Sequence, residues 1–220
     1  MDVIGPPIIT ADAGAASFVA GDNVASTPVI LDSGIAVADP GASTLASATV
    51  SITGNFHSGE DVLEFSNNGS TMGNIAGSYN AGTGILTLTS SGATATLAQW
   101  QAALDSVAYD NTAITPNTAA RAVSFTVADV IGTLSNTATR TVTVQDTDQT
   151  PIVSTTSGTS GYVAGMMPTV VDSGIVVSDR DNTTLASATV TISGGFRPGD
   201  QLSFTRANSS QDGKIGRAHV

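Results

Sequence analysis

A chain of 220 residues with 40% hydrophobic residues can bury a core, but aromatics at 5% mean that core is built from Val, Ile, Leu and Ala. Charged residues make up only 11%, and 18 Asp+Glu stand against 7 Lys+Arg, a formal net charge of −11. Such a surface repels nucleic-acid phosphates and anionic lipid alike, whereas it suits hard divalent cations, which take clustered carboxylate oxygens, or plain solubility.

In chain order, residues 8–39 alternate short apolar runs (Ile8-Ile9, Phe18-Val19, Val29–Leu31, Ile35–Val37) with Gly, Pro and small polar residues, the pattern of short edge strands. Leu45–Ile52 alternates with period two, placing Ala48, Val50 and Ile52 on one face of a half-buried strand. Val62–Phe65 and Gly84–Thr89 read as further strands, with Asn68-Gly69 a turn between them. Ala95–Tyr109 differs: Leu97, Trp100, Ala103, Leu104 and Val107 recur at helical spacing, no Gly or Pro interrupts, and Thr94 or Thr96 serves as N-cap. Trp100, the single Trp, is a core plug at that position rather than a sugar-stacking platform. Ala122–Ala128 and Thr137–Val144 alternate strictly and form a closing hairpin, after which Gln145–Pro151 is a polar connector.

The chain then begins again. Thr44–Ile52, TLASATVSI, returns as TLASATVTI at Thr184–Ile192, and Pro28–Gly59 aligns with Pro168–Gly199 without a gap at roughly 18 of 32 positions. One unit therefore covers residues 7–150, and residues 151–213 are the front half of a second. The ending Gly216–Val220 departs from the pattern and reads like a translated sequencing adapter, so residues 214–220 are taken as a non-native tail. The expected fold is all-β: tandem Greek-key sandwiches of immunoglobulin-like type, one short helix, the second repeat truncated.

No catalytic constellation emerges. His57, the one His outside the suspect tail, aligns with Arg197, and Glu60-Asp61 has no partner visible in sequence, so the chain is read as a non-enzyme. The absence of Cys excludes disulfides and thiolate metal sites and leans towards a bacterial extracellular setting. No stretch is long enough for a membrane span. The informative acids are Asp146 and Asp148 in the connector and Asp179, Asp181 and Asn182 after a strand of the second unit, since alternate acids in a loop aim oxygens at one cation. Asp39-Pro40-Gly41 is the first unit's version, without the second carboxylate.

The connector VTVQDTDQTP resembles the calcium-binding junction of cadherin-like domains, and VSDRDN at Val177–Asn182 resembles the acidic pair that the following domain contributes. Asp129, in SFTVAD, resembles the closing Asp of the penultimate cadherin strand, and Asp110 is a further candidate to complete the shell. The remainder up to Gly213 is similar to bacterial cadherin-like repeats of large secreted or surface adhesins. That resemblance implies Ca²⁺ held by Asp146, Asp148, Asp179, Asp181, Asn182, Asp129 and Asp110. It also implies an extracellular or bacterial cell-surface stalk whose partners are neighbouring repeats of the same chain, with any cell-surface or matrix ligand met through other domains. No nucleic-acid partner and no membrane insertion are expected. The rival reading is a carbohydrate-binding module of a secreted hydrolase.

Overall fold

A computed structural model describes residues 5–204. Its first unit is built from two facing sheets. The larger has the strand order β2 (Ala15–Val19), β11 (Ala138–Gln145), β10 (Arg121–Ala128), β5 (Ser47–Gly54), β8 (Ile85–Ser90) and β7 (Ile75–Asn80). All its neighbours are antiparallel except β2, which runs parallel to β11. The smaller sheet is β3 (Val29–Ile30), β9 (Ala108–Asn111) and β6 (Asp61–Glu64), and β1 (Ile8–Thr10) pairs separately with β4 (Ala36–Ala38).

The period-two alternation decides which face is buried. Val123, Phe125 and Val127 of β10 line up with Ile52, Val50 and Ala48 of β5, and all six are buried. The intervening Ser and Thr residues point outward, as one-sided burial of an antiparallel sheet requires. Phe18 of the larger sheet meets Tyr109 of the smaller one edge to face, at 5.4 Å between ring centres.

The helix is shorter than its sequence pattern. Helix α1 spans Leu97–Leu104; Thr96 is its N-cap and forms a capping box with Gln99. The apolar run continues past the helix because Ala108–Asn111 leaves as β9, whose pairing with β6 outweighs one more helical turn. Trp100 is fully buried and donates its indole N–H to the carbonyl of Leu45 at 3.0 Å, pinning the helix to the start of β5.

The two sheets are also joined by charge. Asp61 at the head of β6 and Arg121 at the head of β10 are both buried. Arg121 Nε donates to both Asp61 oxygens (3.1 and 3.0 Å) and Nη2 to Oδ1 (3.0 Å), while Nη1 donates to the carbonyls of Asn117 and Ala119. The Tyr109 hydroxyl, the Asn111 amide and the His57 N–H complete the carboxylate's shell. Burial pushes the Asp61 carboxyl upward, but the hydrogen bonds from Arg121, Tyr109 and His57 together hold it below its usual value. Burial, then the bond to Asp61, pushes the Tyr109 phenol above its ordinary range. Glu60-Asp61, without a partner in the sequence reading, thus has one 60 residues away.

Part of this architecture recurs. β12 (Ile152–Ser154) pairs with β13 (Val176–Ser178) in the manner of β1 with β4. In the first pair Asp32 accepts from the N–H groups of Asp12 and Gly34; in the second Asp172 accepts from those of Thr156 and Gly174. Arg197 N–H donates to Asp200 and Asp200 N–H to the Arg197 carbonyl, repeating the bonds between His57 and Asp61 with one residue fewer. Yet Thr184–Ile192, near-identical to the β5 segment, carries no strand. β5 is clamped between β8 and β10; among the described residues no strand flanks Thr184–Ile192 in that way, and an unpaired strand is not stable in water. The proposed tail at residues 214–220 lies outside the described residues.

Two outcomes follow from this packing. Trp100→Ala should cost about 3–5 kcal/mol, and the native protein's blue-shifted tryptophan emission should resist aqueous quenchers; emission like that of free tryptophan in water would contradict the burial. Because the folded carboxyl of Asp61 titrates below its unfolded value, its stabilisation is complete above pH about 4 and fades as the pH falls through the folded value. An acid titration followed by circular dichroism should show Asp61→Asn weakening the fold at neutral pH and flattening this acid limb.

Candidate functional site

The connector between β11 and β12 lies against the loop joining β2 to β3, about 127 residues earlier. Thr147 donates its hydroxyl to the Ala20 carbonyl at 2.6 Å, and Thr150 N–H donates to Asp22 Oδ1 at 2.8 Å while its hydroxyl also meets the Asp22 carboxylate. These bonds from Thr150 hold the Asp22 carboxyl below its usual value.

Gln149 is the hub. Its side chain is buried at 1% exposure, and every polar atom has a partner. Nε2 donates to the carbonyls of Gly21 (3.0 Å) and Thr147 (2.7 Å), and Oε1 accepts from Asn23 N–H at 2.7 Å. Its backbone N–H donates to Asp181 Oδ2 at 2.8 Å, which is the main reason the Asp181 carboxyl is held below its usual value. The turn after β13 is thereby tied to the connector that follows β11.

Asp181 and Asn182 are in direct contact through Asn182 Nδ2 and Asp181 Oδ1 at 2.9 Å, and the same amide reaches Asp148 Oδ1 at 3.3 Å. Asp179 Oδ1 accepts from the N–H groups of Asp181 (3.4 Å) and Asn182 (3.2 Å), closing the turn. Asp148, Asp179, Asp181 and Asn182 therefore share one network. Asp146 stands exposed, its carboxylate accepting from Thr147 N–H. Asp110 sits on the wall of an adjoining cavity with Gln149, Asn23 and Arg180.

Asp129 is elsewhere. It follows β10, whose start, not its end, faces the connector end of β11, so it lies roughly 25 Å away by strand length. Its carboxylate accepts from the N–H groups of Ile131 (2.9 Å) and Thr133 (2.7 Å) and shapes the β10–β11 turn. Burial raises its carboxyl, but these bonds outweigh that and leave it below its usual value.

The junction thus brings carboxylate and amide oxygens into one hydrogen-bonded network, and among the described residues no three His, Cys, Asp or Glu side chains come close enough to hold a metal ion. Gln149, Asp22 and Asn23 were not singled out from sequence. Gln149 gives no compositional signal, and the other two lie in a Gly-Asp-Asn turn whose importance depends on a contact across the whole unit.

Gln149→Ala should destabilise the first unit by about 1–3 kcal/mol, since it strands part-buried partners at Gly21, Thr147 and Asn23. Urea unfolding of the full chain measures this; an unchanged midpoint would mean that the connector is not held as described. The chain matches no protein-family model and no curated protein, so its functional reading rests on this geometry and on the repeat.

Proposed function

We propose that this chain is a repeat segment of a bacterial surface or secreted adhesin, acting as a calcium-rigidified stalk or adhesion module built from cadherin-like Greek-key sandwiches in tandem. The observation that carries the reading is the return of the β1–β4 pair, with its Asp clamp, as β12–β13 directly after the connector. The carbohydrate-binding alternative draws nothing from Trp100, whose ring is in the core.

Asp146, Asp148, Asp179 and Asp181, with Asn182, are the residues that would hold Ca²⁺, and Asp110 adjoins them. Asp148 and Asp179 each use one carboxylate oxygen in the network, which leaves their other oxygens for a cation. Gathered carboxylates repel one another; a divalent ion turns that repulsion into attraction and stiffens the connector. Neighbouring repeats would then form a rod that holds other domains away from the cell surface.

Extracellular modules bind Ca²⁺ at about 10⁻⁴–10⁻³ M, so the response belongs at millimolar ion. At a hundredfold excess over Kd, bound Ca²⁺ should stabilise by about 2.7 kcal/mol. Calorimetry and thermal melting of the full chain, compared with the Asp179→Ala, Asp181→Ala double variant, should show binding and a raised Tm only in the parent. No heat and no shift in the parent, or an equal response in the variant, would sink the calcium reading.

A further inference from the structure

The connector end of the first unit contains a cavity of about 240 Å³, walled in part by Asn23, Asp110, Gln149 and Arg180. Two residues of that wall, Asn23 and Asp110, carry incompletely served acceptors. Asn23 sits in the left-handed region at φ 55°, its N–H held by Gln149 and its side-chain amide donating to Asp22 Oδ1 and the Thr150 carbonyl. Those two acceptors fix which way the amide faces. Its remaining atom, Oδ1, is buried without a hydrogen-bond partner. Asp110 is a carboxylate for which the structure supplies one donor, the N–H of Asn111.

Cations that could answer them are scarce. The first 150 residues hold only Arg121 and Arg140. Arg121 is consumed by Asp61, and Arg140 donates to the carbonyls of Leu31, Asp12 and Ala13 beside Asp32. Arg180 is different: it lines the cavity, its side chain is exposed, and among the described residues it makes no ion pair. Its backbone is held over the cavity because the next residue, Asp181, is bound by Gln149. The aligned position in the first unit is Pro40, so the charge is particular to this junction.

We propose that Arg180 is a tethered cation for this cavity: its guanidinium closes onto the Asp110 carboxylate and Asn23 Oδ1, latching the turn after β13 to the end of β9. A guanidinium has five donors in a planar fork, enough to serve both acceptors at once. The latch needs no added ion, so it is observable with Ca²⁺ removed.

The test is amide hydrogen exchange on the full chain in chelator-treated buffer, reading Gln149 and Thr150, whose N–H groups bind Asp181 and Asp22. Arg180→Gln and the isosteric Asp110→Asn should each speed exchange there by about two- to fivefold at low salt, the range of a partly exposed ion pair. The double variant should exchange no faster than either single one, Arg180→Lys should keep part of the protection, and high salt should erase the differences. Amides of β10 serve as the control for global unfolding. If the single variants exchange like the parent, or the double variant shows the product of the two single effects, Arg180 and Asp110 are not coupled and the latch is wrong. The exchange is read with Ca²⁺ removed, whereas the calcium reading is tested by added ion on the parent and the Asp179→Ala, Asp181→Ala variant, so each idea can fail alone.

Discussion

The buried pair of Asp61 and Arg121 is the constraint on which the first unit depends. It joins the smaller sheet to the larger one at the connector end, and its shell draws in Tyr109 and Asn111 of β9 and the turn at His57. A buried ion pair adds little net stability over a well-packed apolar substitute, but removing one partner alone leaves an uncompensated charge inside the protein. Its value lies in specificity. A sandwich made from Val, Ile, Leu and Ala has few distinctive shapes to fix how its sheets register, and the Asp61–Arg121 pair adds a directional contact between them.

That fixed end is what the connector is built on. β9 carries Tyr109 and Asn111 inward to Asp61, while Asp110 between them faces the cavity at the junction. β11 ends one ladder bond before the connector, where the Ala20 N–H meets the Gln145 carbonyl. Gln149 then gives the polar chain a neutral, fully satisfied anchor, so that the acids around it remain available to solvent. Hydrogen bonds hold the backbone of the junction in place, and charge is left over on its surface.

The two copies of TLASATV show how little of a strand belongs to its own residues. In the first copy the segment is the centre of a six-stranded sheet, with Ala48, Val50 and Ile52 buried. In the second, Val190 and Ile192 are exposed and no strand forms. Local pieces behave otherwise: the short β12–β13 pair and the Arg197–Asp200 turn form in both copies, because their bonds close within a few residues or within one small ladder.

By itself the sequence determined the β-rich class, the helix near Trp100 and the inward face of each long strand, because each is written in a periodicity; self-similarity marks the repeated segments. Of the residues it marks around the connector, Asp148, Asp179, Asp181 and Asn182 share one hydrogen-bonded network. Only the tertiary structure decided the rest. It ended the helix at Leu104 and put β9 in its place, it gave Asp61 its partner Arg121, and it set Asp129 at the far end of the sandwich. It made a hub of Gln149, a residue with no charge and no pattern to mark it. The physical reason is common to all four. Periodicity reports which face a residue shows to its neighbours a few positions away, whereas these placements follow from pairings between distant segments, 60 residues apart for Asp61 and Arg121 and 128 for Gln149 and Gly21, where register and topology, not local spacing, bring the atoms together.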